Sequence, residues 1–206
     1  GHYEEGNLVG ETKFLYNENG RIKKESNFTF GNLTSYTEYL YDNGVKTFEG
    51  NYRWGREHGK RTQWYESGQK LVEGNYKDGK IDGKITSWYE NGQKNVEQIY
   101  KDGKKEGKVL TWYENGKKMG EGYHKENKMH GKWISWHENG QISEEINYKD
   151  GKLDGKITSW YENGQIKQKG NFKEGVADGK WNWWNEEGKL VQIQLVKDGK
   201  CVSGDC

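Results

Sequence analysis

Glycine recurs in this chain at a fixed interval of 24 residues, at Gly20, Gly44, Gly68, Gly92, Gly116, Gly140, Gly164 and Gly188. No insertion or deletion disturbs the spacing. A second column holds Gly31, Gly55, Gly79, Gly103, Gly151, Gly175 and Gly199, with Asn127 as its single departure. Asparagine is the non-glycine residue that best tolerates a left-handed backbone, so this column selects for positive φ rather than for small size. A third column, Gly59, Gly83, Gly107, Gly131, Gly155 and Gly179, is followed each time by lysine. A strict period of this length describes a repeat array in which each unit leans on its neighbours.

The residues around the first column say what each unit is. The hexamer "WYENGQ" stands at residues 88–93 and 160–165, and near copies begin at Trp64, Trp112, Trp136 and Trp184. Asn91-Gly92 has the preferred chemistry of a two-residue type I′ hairpin turn, and Asp102-Gly103 repeats it. Ile85, Thr86, Trp88 and Tyr89 precede the first turn, and Val96, Ile99 and Tyr100 follow it; all favour strands. Proline is absent, and glycines arrive too often for helices. The expected fold is all-β: an elongated single-sheet antiparallel meander of tandem 24-residue β-hairpin repeats. It is read as one repeat domain over residues 1–206, with about eight units. Residues 1–48 are diverged, with Tyr16 and Leu40 at the Trp position; residues 49–188 are regular; residues 189–206 form a C-terminal cap and tail. Atypical ends are what an array needs to blunt its edge strands.

The composition suits such a sheet. Leu, Ile, Val and Phe number only 33 of 206, and mean hydropathy is −1.28. The chain is not a disordered polyelectrolyte, because 33 basic residues balance 32 acidic ones. Instead 10 Trp and 14 Tyr supply the apolar area. Trp64, Trp88, Trp112, Trp136, Trp160 and Trp184 are expected to form a stacked aromatic ladder, a candidate binding face. Tyr65, Tyr89, Tyr113 and Tyr161 fall one residue later and are expected on the opposite face.

From "EGNYRWGREHGK" (residues 49–60) and "EGNYKDGKIDGK" (residues 73–84), the chain resembles the MORN repeat. With the trailing "WYENGQ" it is more similar to the bacterial MORN variant of YwqK-type antitoxin-like proteins. The resemblance implies a non-catalytic scaffold for protein contacts, and a toxin-neutralising role in the bacterial variant. It also implies that some arrays meet phosphoinositides or membranes.

Catalysis finds little support in the residues. Glu66, Glu90, Glu114, Glu138 and Glu162 precede turns in every unit, whereas an enzyme singles out one shielded pair. His58 and His130 replace an acid in the column Asp82, Glu106, Asp154 and Asp178, while His124 and His137 occupy aromatic columns. No cofactor motif or metal-ligand set is present, and the near-zero net charge weighs against nucleic acid. Cys201 and Cys206 are close enough in sequence for a local disulfide, which suits an oxidising compartment, and they equally suit two free thiols on a tail. The chain opens on Gly1-His2, as after removal of a tag or an export signal.

The leading expectation is a protein partner, either a cognate toxin or a surface ligand. The alternative is an exported or cell-surface repeat protein that binds host ligands, wall glycan or choline-type groups. An exported or surface setting is favoured over the cytoplasm. Lipid headgroups are the weakest class, because acids largely cancel the lysine column Lys60, Lys84, Lys108, Lys132, Lys156 and Lys180.

Overall fold

The computed structural model describes residues 2–4, 7–29, 35–42 and 44–206, with side chains described for 10–27 and 44–206. Gly31 and the Leu40 side chain lie outside the described parts. Among the described residues there are 21 strands and no helix. The chain divides into two compact units, residues 1–104 and 105–206, and in each the described strands pair antiparallel with strands next to them in sequence, as a meander does.

In the first unit the chain passes from Val45–Arg53 to Arg56–Trp64 to Lys70–Lys77, and then to Gly83–Trp88 and Lys94–Lys101. In the second, Lys104–Trp112 is followed by Lys118–Lys125, Gly131–Trp136, Ile142–Lys149, Lys152–Trp160 and onward in the same manner. The two turns of each repeat are chemically distinct. At "KDGK" both central residues are left-handed, Asp102 at φ 50 and Gly103 at φ 84, which is the type I′ geometry. Asn127 stands in this column at φ 69, so the one departure from glycine keeps the conformation.

At "WYENGQ" the structure corrects the expected type I′ turn. Gly92 is left-handed at φ 83, but Asn91 is not among the positive-φ residues. The Gly92 N–H donates to the Tyr89 carbonyl at 2.9 Å, and the Tyr89 N–H donates to the Gln93 carbonyl at 2.8 Å. This is a type I turn closed by a glycine bulge, the usual three-residue hairpin loop. Asn91 serves it through its side chain, whose Oδ1 accepts the Gln93 N–H at 2.9 Å. The third glycine column has a structural task that the sequence alone did not assign. Gly83, Gly131 and Gly179 have φ of 103, 76 and 85, and each follows an interruption that splits one strand into two segments.

One face of the second unit carries the core. Ile146, Ile157, Trp181 and Val196 are buried together, with Trp133, Tyr148, Leu153 and Phe172 packed at the margin. Neighbouring positions along this row are complementary in size. Trp133 lies over Gly122 and Trp181 over Gly170, so closely that a Cβ at either glycine would overlap an indole ring. Where the two columns instead carry Ile146 and Ile157, two medium side chains share the same space. Trp181 further stacks on Trp183 at 5.8 Å and meets Phe172 edge-on at 5.2 Å.

The chain ends in a short strand, Lys200–Gly204, paired with Leu190–Lys197. The Ile193 N–H donates to Asp205 Oδ2 at 3.1 Å, and Gln194 Nε2 donates to the Asp205 carbonyl at 2.7 Å. Cys201 and Cys206 are disulfide-bonded, with their Cα atoms 5.8 Å apart. The strand is short and pinned, which limits its use as a template for further pairing.

The packing rule gives a testable consequence. Gly170→Ala is expected to lower stability by about 1–3 kcal/mol, because the added methyl overpacks against Trp181. In a Trp181→Ile background the same change should cost much less, since the pair then approaches the Ile146 and Ile157 arrangement. Thermal unfolding of the four proteins in the cycle checks this, and equal costs in both backgrounds would break the packing account.

Candidate interaction face

The Trp column lies on the face opposite the Ile and Trp core row. In the strand Gly83–Trp88, Trp88 shares its face with Thr86 and Lys84, while Ile85 points the other way. All six column tryptophans are half-buried. Successive copies are two strands apart, a distance of about 9–10 Å. Within a unit the position between them belongs to the intervening strand, and it carries a lysine at Lys70, Lys94 and Lys118 but an isoleucine at Ile142 and Ile166. Trp64 pairs with Lys70, and the Lys70 ammonium lies 5.6 Å from the centre of the Trp88 ring. Lys46 covers Trp64 and Lys118 covers Trp136, each at 4.9 Å. Where these lysines stand, the expected Trp-on-Trp stack is an alternation of indole and ammonium, held by cation–π contacts worth about 0.5–1 kcal/mol each at exposed sites.

Beside the tryptophans runs a band of charge. Glu73 accepts from Lys70 at 2.7 Å and faces Lys60 at 3.0 Å. Glu97 repeats this with Lys94 at 2.8 Å and Lys84 at 3.4 Å. Glu121 sits between Lys108 at 2.6 Å and Lys118 at 2.8 Å. Beneath this canopy Thr62 and Thr86 are buried. The lysines act on ionisation as expected. Hydrogen bonds from Lys108 and then Lys118 hold the Glu121 carboxyl below its ordinary range, and Lys94 does the same for Glu97 against the opposing effect of burial. For Glu73 burial pushes upward, and hydrogen bonds from Lys70 and Lys60 outweigh it.

The two rows of turns are stitched along the array. The Tyr65 hydroxyl donates to the Trp88 carbonyl at 2.9 Å, Tyr113 to Trp136 at 2.7 Å, and Tyr161 to Trp184 at 2.9 Å. The tyrosines therefore reach sideways to the next repeat. His137 occupies the same column and places Nε2 2.9 Å from the Trp160 carbonyl, so the imidazole replaces the phenol in kind. On the other row, Asp82 Oδ2 accepts the Asp102 N–H at 3.1 Å, Glu106 the Glu126 N–H at 2.9 Å, and Asp154 the Glu174 N–H at 3.2 Å. At these three positions the acidic column fastens the type I′ turn to the preceding repeat. His58 in that column approaches the Asp78 carboxylate at 3.3 Å.

These contacts give Asp82, Glu106, Asp154, His58 and His137 architectural work. Among the described residues no group of three or more His, Cys, Asp or Glu side chains could hold a metal ion. The turn glycines Gly20, Gly44, Gly68, Gly92, Gly116, Gly140, Gly164 and Gly188 all have φ between 73 and 92.

Six successive segments, residues 57–78, 81–102, 105–126, 129–150, 153–174 and 177–198, match the MORN repeat variant family, together well over half of the chain. The chain belongs to that family. Each matched segment opens one residue before the column of His58, Asp82, Glu106, His130, Asp154 and Asp178 and closes within the next type I′ turn, so the family unit is the stitched hairpin pair described above. Repeats of the MORN type generally serve as scaffolds for protein or membrane contact. A comparison with curated proteins returned no match.

The face also contains features that the reading of the sequence missed. The lysines between the tryptophans were visible as a column, Lys46, Lys70, Lys94 and Lys118, that changes to Ile142, Ile166 and Leu190. Their role becomes evident only once the strand between two tryptophans is placed. Glu144 shows the opposite electrostatic situation from Glu121. It lies on the core face two residues from Ile146, and burial raises its carboxyl above the ordinary range.

The two carboxylates predict opposite pH signatures. Glu121 is depressed when folded, so its contribution is present above the unfolded value near 4.5 and is lost as pH falls through the folded value. Glu144 is raised, so its cost to stability begins as pH rises past the unfolded value near 4.5 and is complete above the folded value. At pH 7 Glu121→Gln should therefore destabilise and Glu144→Gln stabilise, each by no more than about 1 kcal/mol after solvent screening. Both differences should shrink as pH falls through each group's folded value, and denaturant titrations across the acid range check this.

Proposed function

We propose that this chain is a non-catalytic scaffold that binds a protein partner through its Trp, Lys and Glu face, with neutralisation of a cognate toxin as the first role to test. The observation that carries the reading is the occupancy of the indole rings. Lysine ammonium groups already cover Trp64, Trp88 and Trp136. A sugar or a quaternary ammonium ligand would have to displace them. The face instead offers a broad surface of aromatic edges and fixed charges, a composition suited to protein contact. The carboxylates of Asp82, Glu106 and Asp154 are engaged as ties between turns, and that of Glu121 as an ion pair with lysine.

The Cys201–Cys206 disulfide favours a second version of the reading, in which the scaffold is exported or surface-bound and meets host or envelope ligands. In that setting wall glycan, choline-type groups and lipid headgroups are the competing ligands.

The two versions separate in one experiment. The chain is used as bait in lysate and envelope fractions of its native cell at moderate salt, and bound material is identified by mass spectrometry. A single protein recovered in stoichiometric amount is the expected result. Recovery of wall or envelope material alone would shift the reading to an adhesive repeat protein. In a parallel titration, millimolar choline or wall sugar should leave Trp fluorescence unchanged; saturable quenching would overturn the preference for protein.

A further inference from the structure

The charged band changes character inside the second unit. Its central column reads Glu49, Glu73, Glu97, Glu121 and Glu145, and then becomes Lys169 and Ile193. The consequence shows when two equivalent grooves are compared. In the first unit, Lys60, Glu73, Asn75, Lys84 and Thr86 line a groove of about 310 Å³, with Glu73 bridging to Lys60 at 3.0 Å. In the second, Lys156, Thr158, Lys169, Asn171 and Lys180 line one of about 410 Å³. The carboxylate at its centre has been replaced by a third ammonium group.

None of these three lysines has an ion-pair partner among the described residues, and all three are exposed. Glu145, opposite Thr158 in the register, is engaged by Lys132 at 2.8 Å. The neighbours change as well. The lysine that would reach across to the carboxylate from the same strand is Ile166 in this repeat. On the next strands Lys180 pairs with Leu195, Asn182 with Ile193, and Trp184 with Leu190. Leu190 and Leu195 are 43% and 46% exposed, large values for leucine. Three unneutralised ammonium groups therefore stand beside an exposed aliphatic strip on one face.

We propose that the groove formed by Lys156, Lys169 and Lys180 is the docking site for a carboxylate side chain of a protein partner, carried on a segment whose apolar residues cover Leu190, Ile193 and Leu195. The proposal rests on the protein-binding reading above and gives the partner its chemistry. The other repeats show what a groove of this shape holds, namely an ionised carboxylate between two lysines. Here the chain omits its own. Bringing three like charges together without a counter-charge is unfavourable, and an incoming Glu or Asp relieves it while the positive potential steers the approach. The aliphatic strip selects a peptide over a bare oxyanion, because a phosphate or sulfate would leave it uncovered.

The test restores the missing carboxylate. Lys169→Glu reproduces the arrangement around Glu73, so it should fold with a melting temperature equal to or above that of the wild type. A fluorescein-labelled peptide of alternating Glu and Leu is titrated into the wild type and the variant and followed by anisotropy, beside a Lys and Leu counterpart, inorganic phosphate and phosphatidylserine vesicles. The expected result is saturable binding of the acidic peptide to the wild type, weakened at least about tenfold by Lys169→Glu, as loss and reversal of a charge pair implies. A second variant, Glu73→Lys, is expected to add a site for the same peptide in the first unit. No binding by the wild type, equal affinity in Lys169→Glu, or equal binding of the basic peptide would overturn the proposal. So would binding of vesicles or phosphate without the acidic peptide, which would assign the groove to headgroups or free anions. The Lys169→Glu chain is also used as bait in the native lysate. If it recovers the same protein as the wild type in equal amount, the groove assignment falls while the scaffold reading stands; if neither bait recovers a protein, the scaffold reading falls and the peptide titration alone decides the groove.

Discussion

The left-handed backbone at the glycine closing each Trp-bearing turn is the constraint on which the other features depend. A type I turn by itself does not match the twist of the strands it joins; the glycine bulge after it restores the match. The bulge also sets which residue of the returning strand faces the tryptophan. In the repeats of both units the partner is the residue two past the glycine, as for Trp64 and Lys70 or Trp160 and Ile166. A slip of one residue would send every side chain to the other face. The Lys and Trp alternation, the Lys and Glu band and the Tyr hydroxyl ties all assume this one register, and it is renewed every 24 residues.

A fold fixed in this way can do without a thick aliphatic core. The buried row of the second unit is assembled by pairing extremes, an indole over a glycine at Trp133 and Gly122 and again at Trp181 and Gly170. Elsewhere the same positions carry two isoleucines. The sum of volumes is conserved while the parts vary, which is what close packing demands. The polar face contributes through many small terms. Each exposed ion pair is worth little, but Glu73, Glu97 and Glu121 each serve two lysines, and Lys70 and Lys118 also cover an indole. Side chains already ordered by one contact lose less freedom in making the next.

Much of this architecture was legible in the sequence, because a period makes columns and columns report geometry. The all-β class, the hairpin unit and the left-handed second column, including Asn127, follow from residue type at fixed spacing. The turn at Asn91-Gly92 was misread for a definite reason. Asn-Gly serves both a type I′ turn and a type I turn closed by a glycine bulge, and only the hydrogen bond from the Gly92 N–H to the Tyr89 carbonyl separates them. The Trp stack was misread because a column in sequence is not adjacency in space; a whole strand lies between Trp64 and Trp88, and Lys70 fills it. The acidic column Asp82, Glu106 and Asp154 was recognised as repeated, but its acceptor role depends on a turn 20 residues downstream.

The same reasoning separates architecture from recognition. Positions that every repeat shares are those the register requires, and changing one of them costs fold. Positions on the outer face of the charged band are under no such demand, since Glu145 and Lys169 occupy equivalent sites on strands of identical pairing. An array can thus revise its surface one column at a time without disturbing the turns beneath. Where Lys46, Lys70, Lys94 and Lys118 give way to Ile142, Ile166 and Leu190, and Glu145 to Lys169, the self-neutralising face is exchanged for one that is basic and aliphatic. A neutralised surface is already satisfied by its own partners. The revised one has both charge and apolar area unmet, and those are the two quantities from which a partner draws affinity.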